Sequence, residues 1–181
     1  MPDILAPVES LLPGEYLALA LLRLRPMHGY EMLHIAQDEG FTEVVPFDRG
    51  VLYAYLRKLE RLGLVRWQEV RAGARPPRKE YHLTAEGEAL AEHWLRTPVE
   101  RMRDVRQEFL LKLRLLDEID PAEAEALLDA QIAACRRYLA AVERRAPAGR
   151  FGSLLRESRR SAALATLDWL ERLRSARKGE A

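Results

Sequence analysis

The sequence predicts a mainly α chain, with N-terminal helices closed by one two-stranded β-hairpin and a C-terminal region of three helices. Three observations carry this. Apolar residues recur at i, i+3/4 and i+7 along most of the 181 residues. One segment, residues 64–83, reads instead as two strands around a polar turn. Two proline-bearing capping sequences, TPVE and DPAE, open helices in the second half. Composition agrees: 48% apolar and 31% charged residues, rich in Ala, Leu, Arg and Glu, suit a folded helical protein.

Each element follows in turn. PGEYLALALLRL, with Pro13 and Gly14 ahead of an apolar run, reads as a buried first helix that ends near Arg23 and is stopped by Pro26. MHGYEMLHIAQ carries Tyr30, Leu33, Ile35 and Ala36 at roughly helical spacing, a second helix ending near Glu39 and Gly40. FDRGVLYAYLRKLERLGLV gathers Leu52, Tyr55, Leu56, Leu59 and Leu62 on one apolar face, with Gly63 at the C-cap. The opposite face is a basic and aromatic stripe of Arg49, Tyr53, Arg57 and Arg61. LVRWQEV and KEYHL pair as a hairpin, and Thr84 N-caps a fourth helix to about Leu95. Three helices, a two-stranded hairpin and a closing helix make the winged helix-turn-helix order, in which the third helix enters the major groove. The expected domains are 1–96, the winged unit, and 97–181, a helical unit.

In the second half Thr97, Pro98 and Glu100 predict a helix start, followed by a stripe of Met102, Val105, Phe109, Leu113 and Leu116. Asp120, Pro121 and Glu123 start the next helix, where Leu128, Ile132, Cys135, Leu139 and Val142 are spaced like a coiled-coil seam. A last helix from about Ser153 aligns Ala162, Thr166, Trp169 and Leu173. The seam residues and Trp169 are the expected dimer interface, because such stripes exceed what three helices hide among themselves.

Charge is unevenly spread. The net charge is +1, yet between Arg49 and Lys79 nine basic residues (Arg49, Arg57, Lys58, Arg61, Arg66, Arg71, Arg75, Arg78, Lys79) face two acidic ones, Glu60 and Glu69. A local surplus of this kind is the footprint of a phosphate-binding surface. Around the hairpin tip RAGARPPRK, Pro76 and Pro77 hold the backbone extended, which presents Arg75, Arg78 and Lys79 to phosphates or the minor groove. In the third helix Arg49, Gly50 and Tyr53 occupy the first turn, where a groove-inserted helix touches bases. Arg57 and Arg61 fit backbone contacts or a solvated face, and Tyr30 either a phosphate contact or a packed aromatic. Trp94 and Trp169 fit an effector pocket or buried interface aromatics.

Other classes are excluded or disfavoured. The longest apolar run, residues 16–22, is far below the ~20 residues of a membrane span and has no basic segment before it, so a cytoplasmic protein without membrane partners is expected. Cys135, the single cysteine, excludes an internal disulfide and reads as an inert small hydrophobe. His28, His34, His82 and His93 lack metal-ligand spacing, the serines lack a nucleophile elbow, and GRFGS is no phosphate loop; neither an enzyme nor a cofactor is expected.

Three stretches, LALLRLRPMHGYEM, GVLYAYLRKLERLGLV and RPPRKEYHLTAEGEAL, together resemble the PadR family of bacterial transcriptional regulators over about residues 15–95. The long helical tail is similar to the larger subgroup of that family. The resemblance implies a homodimer paired through its C-terminal helices, a repressor of a pseudo-palindromic operator in double-stranded DNA, released by a small molecule or another signal. The chain departs from the family pattern at Val51 and Ala54, so operator preference does not carry over, and its wing is one residue longer, with Pro76 and Pro77 where one proline is usual, which bears on the reach of Arg75. A winged helix retained as a protein-interaction module without DNA binding is the alternative reading.

Overall fold

A computed structural model describes residues 11–71 and 77–179. The elements run α1 (Pro13–Leu24), β1 (Met27–His28), α2 (Gly29–Asp38), a 3-10 turn (Phe41–Glu43), α3 (Arg49–Arg61), β2 (Val65–Val70), β3 (Arg78–Leu83) and α4 (Ala85–Arg96). Beyond them come α5 (Met102–Asp104), a π turn (Val105–Phe109), α6 (Leu110–Ile119), α7 (Pro121–Arg144) and α8 (Gly149–Gly179). The chain divides into two units, Met1–Trp94 and Leu95–Ala181.

In the first unit α1 is apolar on nearly every side and is buried accordingly, with Leu17 to Leu21 at 0% exposure. Its one buried charge, Glu15, accepts the Leu12 N–H (2.8 Å) and the Lys58 ammonium (2.9 Å). Lys58 is therefore committed inward, unlike the other cations of its helix. Leu52, Tyr55, Leu56 and Leu59 form the buried face of α3. Asp48 caps its start by accepting the Val51 N–H at 3.0 Å. At its end Gly63 adopts φ +71°, donating to the Glu60 carbonyl while Leu64 N–H reaches back to Leu59, a paired closure that needs a residue without Cβ strain. Thr84 straps α4 to this corner: its hydroxyl donates to the Gly63 carbonyl (2.7 Å) and accepts the Gly87 N–H (3.1 Å).

The sheet differs from expectation by one strand. Its order is β1-β3-β2, antiparallel throughout, because Met27 and His28 pair with Tyr81 and Glu80 on the far side of the hairpin. Pro26 forces extended backbone at Arg25, and the next two residues satisfy their backbone groups on β3 before α2 begins. The inner face of α2 is also shifted: Gly29, Met32 and Ala36 are buried, whereas Tyr30 is 44% exposed and Leu33 and Ile35 only half-buried.

The second unit departs further. TPVE does not start a helix; the helix begins at Met102. Val99 is instead held by the buried Gln131 amide, which accepts its N–H (2.8 Å) and donates to its C=O (2.9 Å). Buried Lys112 donates to the Thr97 carbonyl (2.9 Å) and pairs with Glu108 (2.7 Å). These partners outcompete the local cap. DPAE behaves as expected, Asp120 accepting from the Ala122 and Glu123 N–H groups. Helices α7 and α8 pack antiparallel, cross-linked by Arg136–Glu171, Arg174–Asp129 and Arg160–Glu143, while Arg177 engages both Glu125 and Asp117.

This packing covers part of the expected dimer seam. Leu128, Ile132 and Cys135 are at most 1% exposed within the single chain, so in this arrangement they offer nothing to a partner; Leu139 and Val142 are half-buried. On α8, which starts at Gly149 rather than Ser153, the buried positions are Ala163 and Leu170, with Ala162 exposed and Thr166, Trp169 and Leu173 half-buried. A long helix has enough apolar residues for two stripes, and packing against α7 chose the other one.

Candidate nucleic-acid interface

The proposed contacts start from α3. Its Asp48 cap fixes the first turn, and Arg49 and Gly50 stand exposed there. Tyr53, one turn on, is half-buried: a Cβ placed on Gly29 would lie 3.0 Å from its ring, so Tyr53 lies across the start of α2, where any larger residue would crowd it. Arg57 and Arg61 are exposed farther along the same stripe. Tyr81 lies beneath, its hydroxyl pKa pushed up by burial and by the proximity of Tyr53 and Glu60.

The hairpin supplies the remaining cations. Arg78 and Lys79 are exposed at the root of β3, and Arg75 lies outside the described residues. Neither root cation hangs free. The Arg78 guanidinium sits 5.1 Å from the centroid of the Tyr30 ring, and the Lys79 ammonium 3.6 Å from that of Trp67. Tyr30 is thus exposed and stacked rather than packed inward, with His28 at 5.6 Å and His34 edge-on at 6.5 Å. Sequence reasoning named Tyr30 but passed over His28, His34, Trp67 and Glu60. The last two are joined by a 2.8 Å bond from the indole N–H to the carboxylate. A tryptophan at alternating spacing in a strand signals only a packed aromatic, and nothing local pairs it with a lysine 12 residues on.

Behind this surface Glu31 secures the start of α2. Burial opposes its ionisation, but the His28 N–H (2.7 Å) and Arg25 (3.1 Å) hold its pKa below the ordinary carboxylate value. The result is a first unit that presents Arg49, Arg57 and Arg61 outward on a capped helix and Arg78 and Lys79 outward on a paired strand. It has the chemistry to neutralise phosphates.

The two tryptophans of the expected effector pocket belong to different units. Trp94 stacks face to face on Tyr16, with centroids 5.2 Å apart. Trp169 meets Phe109 edge-on at 6.4 Å and lines a groove with Arg106, Leu110, Ala162, Ala165 and Thr166. Among the described residues no group of His, Cys, Asp or Glu is placed to hold a metal ion, and no helix is long and apolar enough to cross a membrane.

Residues 18–93 match the protein family described as Transcriptional regulator PadR-like family, and residues 105–177 match Virulence activator alpha C-term. No curated protein matches the chain. Among solved structures, Bacillus subtilis PadR in complex with operator DNA is 21% identical, covering 93% of this chain and 99% of its own at a TM-score of 0.48. The same Bacillus subtilis protein in complex with p-coumaric acid is 21% identical over 91% and 98%, with a TM-score of 0.42. A PadR-like transcriptional regulator from Bacillus cereus is 22% identical over 94% and 99%, at 0.43.

Proposed function

We propose that this chain, whose residues 18–93 match the PadR-like transcriptional regulators, is a homodimeric repressor that reads a pseudo-palindromic operator with α3 in the major groove and the wing on flanking phosphates. One observation carries the reading. In the +7 stretch between Arg49 and Lys79, Lys58 is turned inward, whereas Arg49, Arg57, Arg61, Arg78 and Lys79 all remain outward. Arg49 and Tyr53 are the expected base-reading residues, and Arg57, Arg61, Arg75, Arg78 and Lys79 the phosphate contacts. Release by a small-molecule effector is part of the proposal, and the Trp169 groove, apolar with Arg106 at its edge, is its candidate site.

The test is affinity for a random duplex and for an operator recovered from genome-wide binding, each over a series of salt concentrations. A log–log slope of several units is expected, falling by roughly one unit per neutralised contact in each protomer. Arg49→Ala is expected to reduce discrimination by about 1–3 kcal/mol per lost base contact, with a smaller effect on random DNA. Binding that is absent or indifferent to salt would instead favour the protein-interaction module.

A further inference from the structure

Consecutive residues of a strand point to opposite faces, so Arg78 and Lys79 leave β3 in different directions. Each meets an aromatic ring tied to a different helix of the helix-turn-helix. Arg78 lies over Tyr30, in the first turn of α2. Lys79 lies over Trp67 of β2, whose indole N–H is bonded to Glu60 in the last turn of α3. A third tie joins the backbone: His28 Nδ1 is 2.8 Å from the Lys79 carbonyl. A carbonyl only accepts, so Nδ1 carries the proton there. The charges that the wing root offers are thus already ordered, and by groups that belong to the elements beside them.

We propose that Trp67 and Tyr30 are positioning residues of the DNA-reading surface. Through Lys79 and Arg78 they lock the wing root to α3 and α2, so that wing and recognition helix meet a duplex as one body. The inference rests on the proposed DNA binding. Its physical basis is preorganisation: long cationic side chains lose rotamer freedom when they engage phosphates, and a ring that orders them during folding removes that loss from the binding step. Glu60 has a role in this arrangement. An acid within a basic stretch weakens phosphate attraction, and here it orients the indole.

The experiment is a double-mutant cycle on the full chain, read as affinity for a random-sequence duplex and as its salt slope. Lys79→Ala is expected to make the slope shallower by roughly one unit per protomer. Trp67→Leu is expected to weaken binding roughly three- to five-fold per site with the slope kept, because the charge remains but is no longer held. In the Lys79→Ala background the same Trp67→Leu change is expected to cost less than about twofold. Trp67→Phe, which keeps a ring under Lys79 but loses the N–H that Glu60 holds, should recover only part of the loss, and it guards against a variant that merely folds poorly. On the other side Tyr30→Leu should be coupled to Arg78→Ala in the same way. Tyr30→Phe should rescue it, since the ring and not the hydroxyl is used. Equal losses from Trp67→Leu with and without Lys79, while Lys79→Ala still shallows the slope, would overturn the brace and leave DNA binding standing. A Lys79→Ala variant with unchanged slope and affinity would remove the contact itself, and the brace with it.

Discussion

Gly87 shows how little of a residue's role need be visible around it in the chain. A Cβ at this position would lie 1.9 Å from the Leu64 carbonyl oxygen, which itself accepts the Thr84 N–H (3.1 Å) and so cannot step aside without loosening the join between α3 and α4. Gly87→Ala is therefore expected to destabilise the protein by about 3 kcal/mol, seen as a lower denaturant midpoint. Gly63, 24 positions earlier, is different. Its backbone is left-handed but its surroundings are open, so an alanine there meets conformational strain and no clash. One glycine is needed for its dihedrals and the other for its neighbour; only the first kind announces itself by standing after a helical pattern.

Among the elements, the stretch 97–101 is the most instructive. Thr97, Pro98 and Glu100 satisfy every local criterion for a helix start, yet no helix forms there before Met102 because Gln131, 32 residues from Val99, satisfies both polar groups of that residue's backbone inside the second unit. A buried amide matched to one peptide group is worth more than an exposed cap, since leaving either partner unmade costs roughly 1–3 kcal/mol. Gln131→Leu, close in volume and unable to pair, is expected to destabilise the second unit by about that amount, and amide exchange at Val99 should lose its protection. Unchanged exchange at Val99 would mean that the pairing holds nothing. Where no distant partner competes, local signals prevailed, as at Asp120, Asp48, Thr84 and Gly63.

On the scale of the whole molecule, the proposed dimer needs a surface, and the second unit offers a different one from the seam read at first. Phe151 is 76% exposed and Leu154 70%, with Leu155 and Leu164 at 36% and 38%, all on α8. Large apolar side chains grouped at helical spacing are uncommon on a surface that remains in water. A pseudo-palindromic operator calls for two recognition helices roughly 34 Å apart along a duplex, which takes two copies of the chain. The double variant Phe151→Glu, Leu154→Glu is expected to sediment as a monomer with its helix content intact and to lose operator affinity more than random-duplex affinity. A dimer of unchanged stability would assign pairing elsewhere. Changing Ile132, buried in its own chain, should instead lower stability first.

The sequence by itself determined the order of the first unit's elements, the caps that bound its helices, the inner face of α3 and the basic stripe opposite it. Those properties depend on residues within one or two turns of each other, where spacing and side-chain chemistry suffice. Tertiary structure decided what depends on partners distant in the chain: the two-residue strand Met27–His28, the non-helical segment at Val99, and the stripe of α8 that is buried. It also decided where charge goes. Lys58 and Lys79 are alike as letters, 21 positions apart in the same basic stretch, but the first meets the buried carboxylate of Glu15 and the second an aromatic face at the surface. A lysine's spacing places it on a helix or a strand; only the packing of other elements around it determines which group its ammonium meets.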